Sequence, residues 1–147
     1  MIVPNGTLIM VLDGAQMSLF RNDGEAFAPR LTEIEHGDDP ALSTAELGSD
    51  RPGRSFQSSG TARSSYDGPD YHQKEEDRFT LKAATKLNAL ASAKGARLVL
   101  VAAPHVLGIM RPHLDASTKH TLKAEIPKDF SGRSAQDVAE MLVNHEG

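Results

Sequence analysis

The residues Leu98–Ala103, LVLVAA, make an unbroken apolar run closed by Pro104. A strand with one wet face alternates apolar and polar side chains, whereas one that stays apolar throughout needs cover on both faces. Helices above and below a sheet provide that cover. The run therefore points to a layered α/β domain with Leu98–Ala103 in its interior. At 147 residues, 39% of them hydrophobic, the chain has the material for one such domain. It carries no internal repeat, and residues 1–147 read as a single unit.

Thr7–Leu12 is apolar and ends at Asp13-Gly14, a pair expected in a tight turn for its tolerance of positive φ. Beyond it Met17 and Leu19, with Ala15, alternate with Gln16 and Ser18 in the period of a half-buried strand. Asn22-Asp23-Gly24 supplies the next turn. Leu31–His36 is a third strand in which Leu31 and Ile34 do not alternate cleanly. Ala41–Leu47 reads as a short helical turn. Asp70, with Gln73 three residues on, has the spacing of a capping box. The helix it opens sets Phe79, Ala83, Leu87, Leu90 and Ala91 on one face. Early acids (Glu75, Glu76, Asp77) and later bases (Lys82, Lys86, Lys94) follow the order the helix dipole favours, and Gly95 stops it. After Pro104, the residues Val106, Leu107, Met110 and Leu114 predict one helix, or two short ones divided at Pro112. Thr121–Ile126 is a last strand, and Ser134 caps a final helix with Asp137 at N3 and Val138, Met141 and Leu142 buried. Three antiparallel strands followed by αβαβα give a mixed sheet with helices on its faces, and the ribonuclease H-like fold has this order.

Between the strands and the long helix lies Gly48–Asp70, GSDRPGRSFQSSGTARSSYDGPD, nearly empty of aliphatic side chains. Unstructured connections of this length are uncommon in compact domains and are usually functional. Arg51, Arg54 and Arg63 face a single acid, Asp50, before Asp67. A cationic loop on a chain of net charge −4 selects an anionic partner locally, while the overall charge argues against whole-surface nucleic-acid binding.

The absence of cysteine excludes disulfides, thiolate metal sites and cysteine nucleophiles, and fits a cytoplasmic protein. The N-terminal MIVPNGTLIMVLDG lacks a basic n-region, so no signal peptide is expected, and no apolar run approaches a membrane span. A two-metal nuclease would need clustered carboxylates. Asp13 with Glu75 or Glu76 could begin such a set, but Leu98–Ala103 offers none, and Asp13 is expected to be a turn residue. His72 and Glu76 stand at i, i+4, yet two ligands on an acidic helix are a solvated face rather than a site. His105, His113 and His120 recur at near-regular spacing, but Pro112 interrupts any helix between them. His105 directly follows the buried strand, where open α/β sheets place ligand crevices, and it is the histidine with a candidate role. No metal or cofactor is expected.

Several stretches together resemble the bacterial host attachment family, "protein required for attachment to host cells". They are VLDGAQMSLFRNDG, GSDRPGRSF at Gly48–Phe56, EEDRF at Glu75–Phe79, LVLVAAPHVLGIMRPHL, and AEIPKDFSG at Ala124–Gly132. That family is distantly similar to the central domain of archaeal and eukaryotic peptide-release factors and of pelota-type ribosome-rescue factors. The resemblance implies a ribonuclease H-like strand order. It also implies that Gly48–Asp70 corresponds to the release-factor loop whose Gly-Gly-Gln enters the peptidyl-transferase centre. Here Gln57 follows Ser55-Phe56 instead of two glycines, which would let backbone N–H groups approach a reacting ester. Pelota-type factors also lack the motif and act without hydrolysis.

The expectation is thus a non-enzymatic cytoplasmic binding protein that contacts ribosome or RNA through residues 48–66. In it Arg51, Arg54 and Arg63 meet phosphates, Ser55, Gln57 and Ser58 bond nearby groups, and Asp50 and Gly53 belong to the same binding set. Two alternatives stand beside it. One is peptidyl-tRNA hydrolysis with Gln57 positioning water; the other is a protein–protein adaptor in attachment or stress response whose loop orders on binding. The oligomeric state is not readable, although a free edge beside the third strand permits strand pairing.

Overall fold

The computed structural model describes residues 1–39 and 58–145, the side chains of 58–70 excepted. Strands β1 (Leu8–Leu12), β2 (Gln16–Asn22) and β3 (Leu31–Asp38) are followed by the long helix α1 (Ser58–Ala91) and by β4 (Leu98–Ala102). Helix α2 (Pro104–Met110), a 3-10 turn (Arg111–His113), helix α3 (Ala116–Thr121), β5 (Leu122–Ile126) and helix α4 (Ala135–Asn144) complete it. The sheet order is β3-β2-β1-β4-β5. β1–β2 and β2–β3 are antiparallel, and β1–β4 and β4–β5 are parallel. This is a mixed open sheet in the ribonuclease H-like arrangement.

β4 is buried along its whole length, as its composition demands. Leu98, Leu100 and Ala102 face α1 and α2 together with Met10 and Leu12 of β1 and Ala84 and Leu87 of α1. Val99 and Val101 face α4 with Ile9, Val11, Phe20, Val138 and Leu142. Each large side chain fully buried in these layers contributes about 1.5–3 kcal/mol. Ser134 caps α4 as expected, its Oγ accepting from the Asp137 N–H at 3.1 Å.

β3 loses its alternation because Ile34 is an inserted residue. Leu19 pairs with Glu35 and Phe20 with Glu33, and Ile34 is left over in a bulge. From Thr32 to His36 every side chain is exposed, and the acids Glu33 and Glu35 blunt this open edge.

Three local expectations are corrected. Neither hairpin glycine adopts positive φ, which is confined among the described residues to Gly6, Gly95 and Gly132. Asp13 makes its turn through its side chain: Oδ1 accepts from the N–H groups of Ala15 (2.7 Å) and Gln16 (2.8 Å). Asp70 does not cap the long helix but lies within it, and Gln73 bonds Asp77 one turn on. Proline clashes with the Cβ of the residue before it. At Gly68-Pro69 there is no such Cβ, and the helix passes through. The acids Glu75–Asp77 are consequently mid-helix and gain nothing from the helix dipole. At its other end α1 stops at Ala91, four residues before Gly95. There the N–H groups of Ser92 and Ala93 turn to i−3 carbonyls, tightening the last turn.

Candidate functional site

The carboxyl ends of β1, β3 and β4 share one end of the sheet, the position at which open α/β sheets bind ligands. There α1 descends onto the β1–β2 turn, and the Glu76 carboxylate lies so close to Gly14 that a Cβ would sit 2.9 Å from its Cδ. Gly14 accommodates this approach and does not adopt positive φ. Beside it a cavity of about 400 Å³ is lined by Asp38, Asp39, Tyr71, Glu75, Arg78, Phe79 and Lys82. Glu75 is 7% exposed, and its Oε1 meets Arg78 Nη1 at 3.0 Å. The Asp39 N–H holds the Ala15 carbonyl at 2.8 Å, tying the end of β3 to the same turn.

Above Glu75 the helix continues toward Ser58. Tyr71, His72, Gln73 and Lys74 are all exposed, a full turn with no buried face. At 1.5 Å per residue, Ser58 lies about 25 Å farther along the helix than Glu75. Lys74, Arg78, Lys82 and Lys86 recur every fourth residue and form a row of cations winding slowly along α1. Lys86 bonds Glu35 of β3 at 2.6 Å and Arg78 bonds Glu75, while Lys74 and Lys82 form no ion pair among the described residues.

Asp50, Arg51, Gly53, Arg54, Ser55 and Gln57 lie outside the described residues, as does the helical turn expected at Ala41–Leu47. Arg63 is placed in α1 by its backbone, its side chain lying outside the described set, and Ser58 is the first residue of that helix. His105 sits exposed in the first turn of α2, following Pro104 at this same end of the sheet. His113 and His120 fall in the 3-10 turn and α3, apart from it. Among the described residues no three metal-ligating side chains converge, and Asp13 is engaged in its turn. The lining acids are interleaved with Arg78 and Lys82, an arrangement suited to ionic recognition. Sequence reasoning missed the cavity because it joins β3 to a helix more than thirty residues away. The four-residue spacing of the cations is visible in the sequence, where Lys82 and Lys86 enter the reading as dipole compensation and Lys74 and Arg78 do not enter it.

No helix among the described residues is long and apolar enough to cross a membrane. No curated protein matches the chain. The model of bacterial archaeo-eukaryotic release factor family 12 matches residues 6–142, from just before β1 to within α4. The match covers every strand and helix but the last residues of α4, and the chain belongs to bacterial archaeo-eukaryotic release factor family 12.

Proposed function

We propose that this protein is a cytoplasmic ribosome- or RNA-contacting factor that acts by binding rather than by catalysis. The observation that carries the reading is the cationic row on α1. It runs from Lys86 beside β3 to Lys74 on the exposed turn Tyr71–Lys74, and leads in sequence to Arg63, Arg54 and Arg51. Membership of a release-factor family supports a ribosomal partner. Guanidinium and ammonium groups in a row along one helix can follow a phosphate backbone that the rest of this acidic chain would repel. Each phosphate contact contributes about 0.7–0.9 to the salt slope, so Arg51, Arg54 and Arg63 alone give a slope of about −2 to −3. Lys74, Arg78 and Lys82 together would roughly double it.

Ribosome co-sedimentation at low and high salt tests this. The Arg51→Ala/Arg54→Ala variant should pellet less at low salt and show a shallower salt dependence, and equal pelleting of variant and wild type overturns the reading. Family membership also favours a second reading, hydrolysis of peptidyl-tRNA with Gln57 positioning water. Peptide release from stalled complexes that is lost in Gln57→Ala would replace binding by catalysis. The resemblance to the host attachment family supports a third, in which residues 48–66 meet a protein partner in attachment or stress response. Crosslinks in cells to a surface or stress-response protein, without ribosomal crosslinks, would favour it.

A further inference from the structure

At the opposite end of the sheet, α4 and the segment leading into β3 leave a groove of about 570 Å³ between them. Ala28, Pro29 and Leu31 form one wall, and Ala135, Ala139 and Val143 the other. Small side chains on both walls make it a hollow. Next to it stands Phe27, 77% exposed, with Val143 43% exposed. The Val3 N–H bonds the Ala26 carbonyl at 3.0 Å and brings Ile2, 51% exposed, alongside. Aromatics are only 5% of this chain, and an aromatic ring held out in water beside an apolar hollow is the mark of an interaction surface.

The charges on the walls indicate the occupant. Arg30 lies on the β3 wall and Glu140 on the α4 wall, both exposed, and neither forms an ion pair among the described residues. We infer that the groove is the interface of a symmetric dimer of this chain. A two-fold axis running along the groove sets each wall against the opposite wall of the second copy. Phe27 of each copy then enters the hollow of the other, and Arg30 meets Glu140 twice. The other candidate self-contact, antiparallel pairing of the β3 edges about Ile34, sets Glu33 against the second copy's Glu35 and is repelled. This inference is independent of the RNA-contact reading, since the groove and the cationic row occupy opposite ends of the sheet.

Sedimentation equilibrium on the full chain should give a mass of about twice 15.8 kDa. Phe27→Asp and Val143→Asp replace exposed side chains, so each should yield a monomer with an unchanged far-UV spectrum and melting temperature. Arg30→Glu and Glu140→Arg should each weaken the dimer about three- to tenfold, and the double swap should recover it. A wild type that stays monomeric up to about 100 μM overturns the inference. So does a dimer indifferent to Phe27→Asp and Val143→Asp, or a double swap no better than the single ones.

Discussion

Asn22 should be the most sensitive polar position in the domain. Its side chain is fully buried at the end of β2 and holds three separate stretches of chain. Nδ2 donates to the Val3 carbonyl at 2.7 Å, and more weakly to Glu25 at 3.4 Å and Pro4 at 3.5 Å. Oδ1 accepts from the Gly24 N–H at 2.8 Å and the Arg30 N–H at 2.9 Å. Asn22→Ala removes all of these and leaves three well-bonded backbone groups without partners. Each costs about 1–3 kcal/mol when buried, less where water can enter. Gly24 and Arg30 lie near solvent and Val3 does not, so the sum should be about 3–5 kcal/mol. That is a large share of the roughly 5–15 kcal/mol by which domains of this size are stable.

Asn22→Asp separates hydrogen bonding from packing, because the shape is kept. The Oδ1 acceptor survives, but a carboxylate oxygen replaces the donor facing the Val3 carbonyl. Only the protonated acid can donate there, so the variant's folded pKa must rise above the ordinary value near 4. The folded state then binds the extra proton, and stability falls as pH rises from about 4 through that raised value. The chain has no Trp and only two Tyr, so urea unfolding followed by far-UV circular dichroism is the suitable assay. A loss below about 1 kcal/mol for Asn22→Ala, or an Asn22→Asp penalty that does not change between pH 5 and 8, would refute the reasoning.

The two hairpin glycines should respond unequally to alanine. At Gly24 a Cβ meets backbone, the Arg30 nitrogen at 2.7 Å and the Ala28 oxygen at 2.8 Å, so Gly24→Ala should cost about 2 kcal/mol or more. At Gly14 it meets the movable end of Glu76, and Gly14→Ala should cost about 1 kcal/mol or less by thermal melts. Asp23 is held at about 2 by its hydrogen bond from Arg21, then by Thr32. Its folded pKa lies below the unfolded value of 3.8, so its contribution is present above pH 4 and lost as pH falls toward 2. Asp23→Asn should therefore flatten the acid limb of the stability profile in that window. Asn88 donates to the His113 carbonyl at 3.0 Å and accepts from the Asp115 N–H at 2.9 Å and the Thr118 hydroxyl at 2.6 Å. Asn88→Ala should cost about 1–3 kcal/mol, and a cycle with Thr118→Val should show non-additivity in chemical denaturation.

The layered architecture was legible because it rests on burial patterns that strands and helices carry in their own sequences. LVLVAA could only be an interior strand, and Val138, Met141 and Leu142 only a buried stripe. What the sequence hid were relations between distant segments. Asp13-Gly14 looks like a positive-φ turn, yet Gly14 has no positive φ and instead leaves room for Glu76, far along the chain. Asp70 has every local mark of a cap, but a capping residue states where a helix can begin, not where it must. Ile34 spoiled an alternation, and only its partner strand reveals the bulge. The candidate site was legible in part. The loop expected over Gly48–Asp70 is helix from Ser58 onward, its remaining residues lying outside the described set, and the cavity needs Asp38 and Lys82 to be brought together.

A single hairpin organises both proposed surfaces. At its tip, the Asp13 turn and the space above Gly14 receive Glu76 and seat α1, which carries the cationic row, on this end of the sheet. At its other end, Asn22 fixes the segment from Gly24 to Arg30, which supplies Phe27, Ala28 and Arg30 to the groove. The two surfaces are therefore separable by mutation. Asn22→Asp at neutral pH, in conditions where the domain stays folded, should loosen Phe27 and Arg30 and weaken the dimer while leaving α1 and ribosome pelleting unchanged. Charge reversal at Lys74 and Lys82 should do the reverse. A variant at Asn22 that lost ribosome binding and kept the dimer would contradict the assignment of both ends at once.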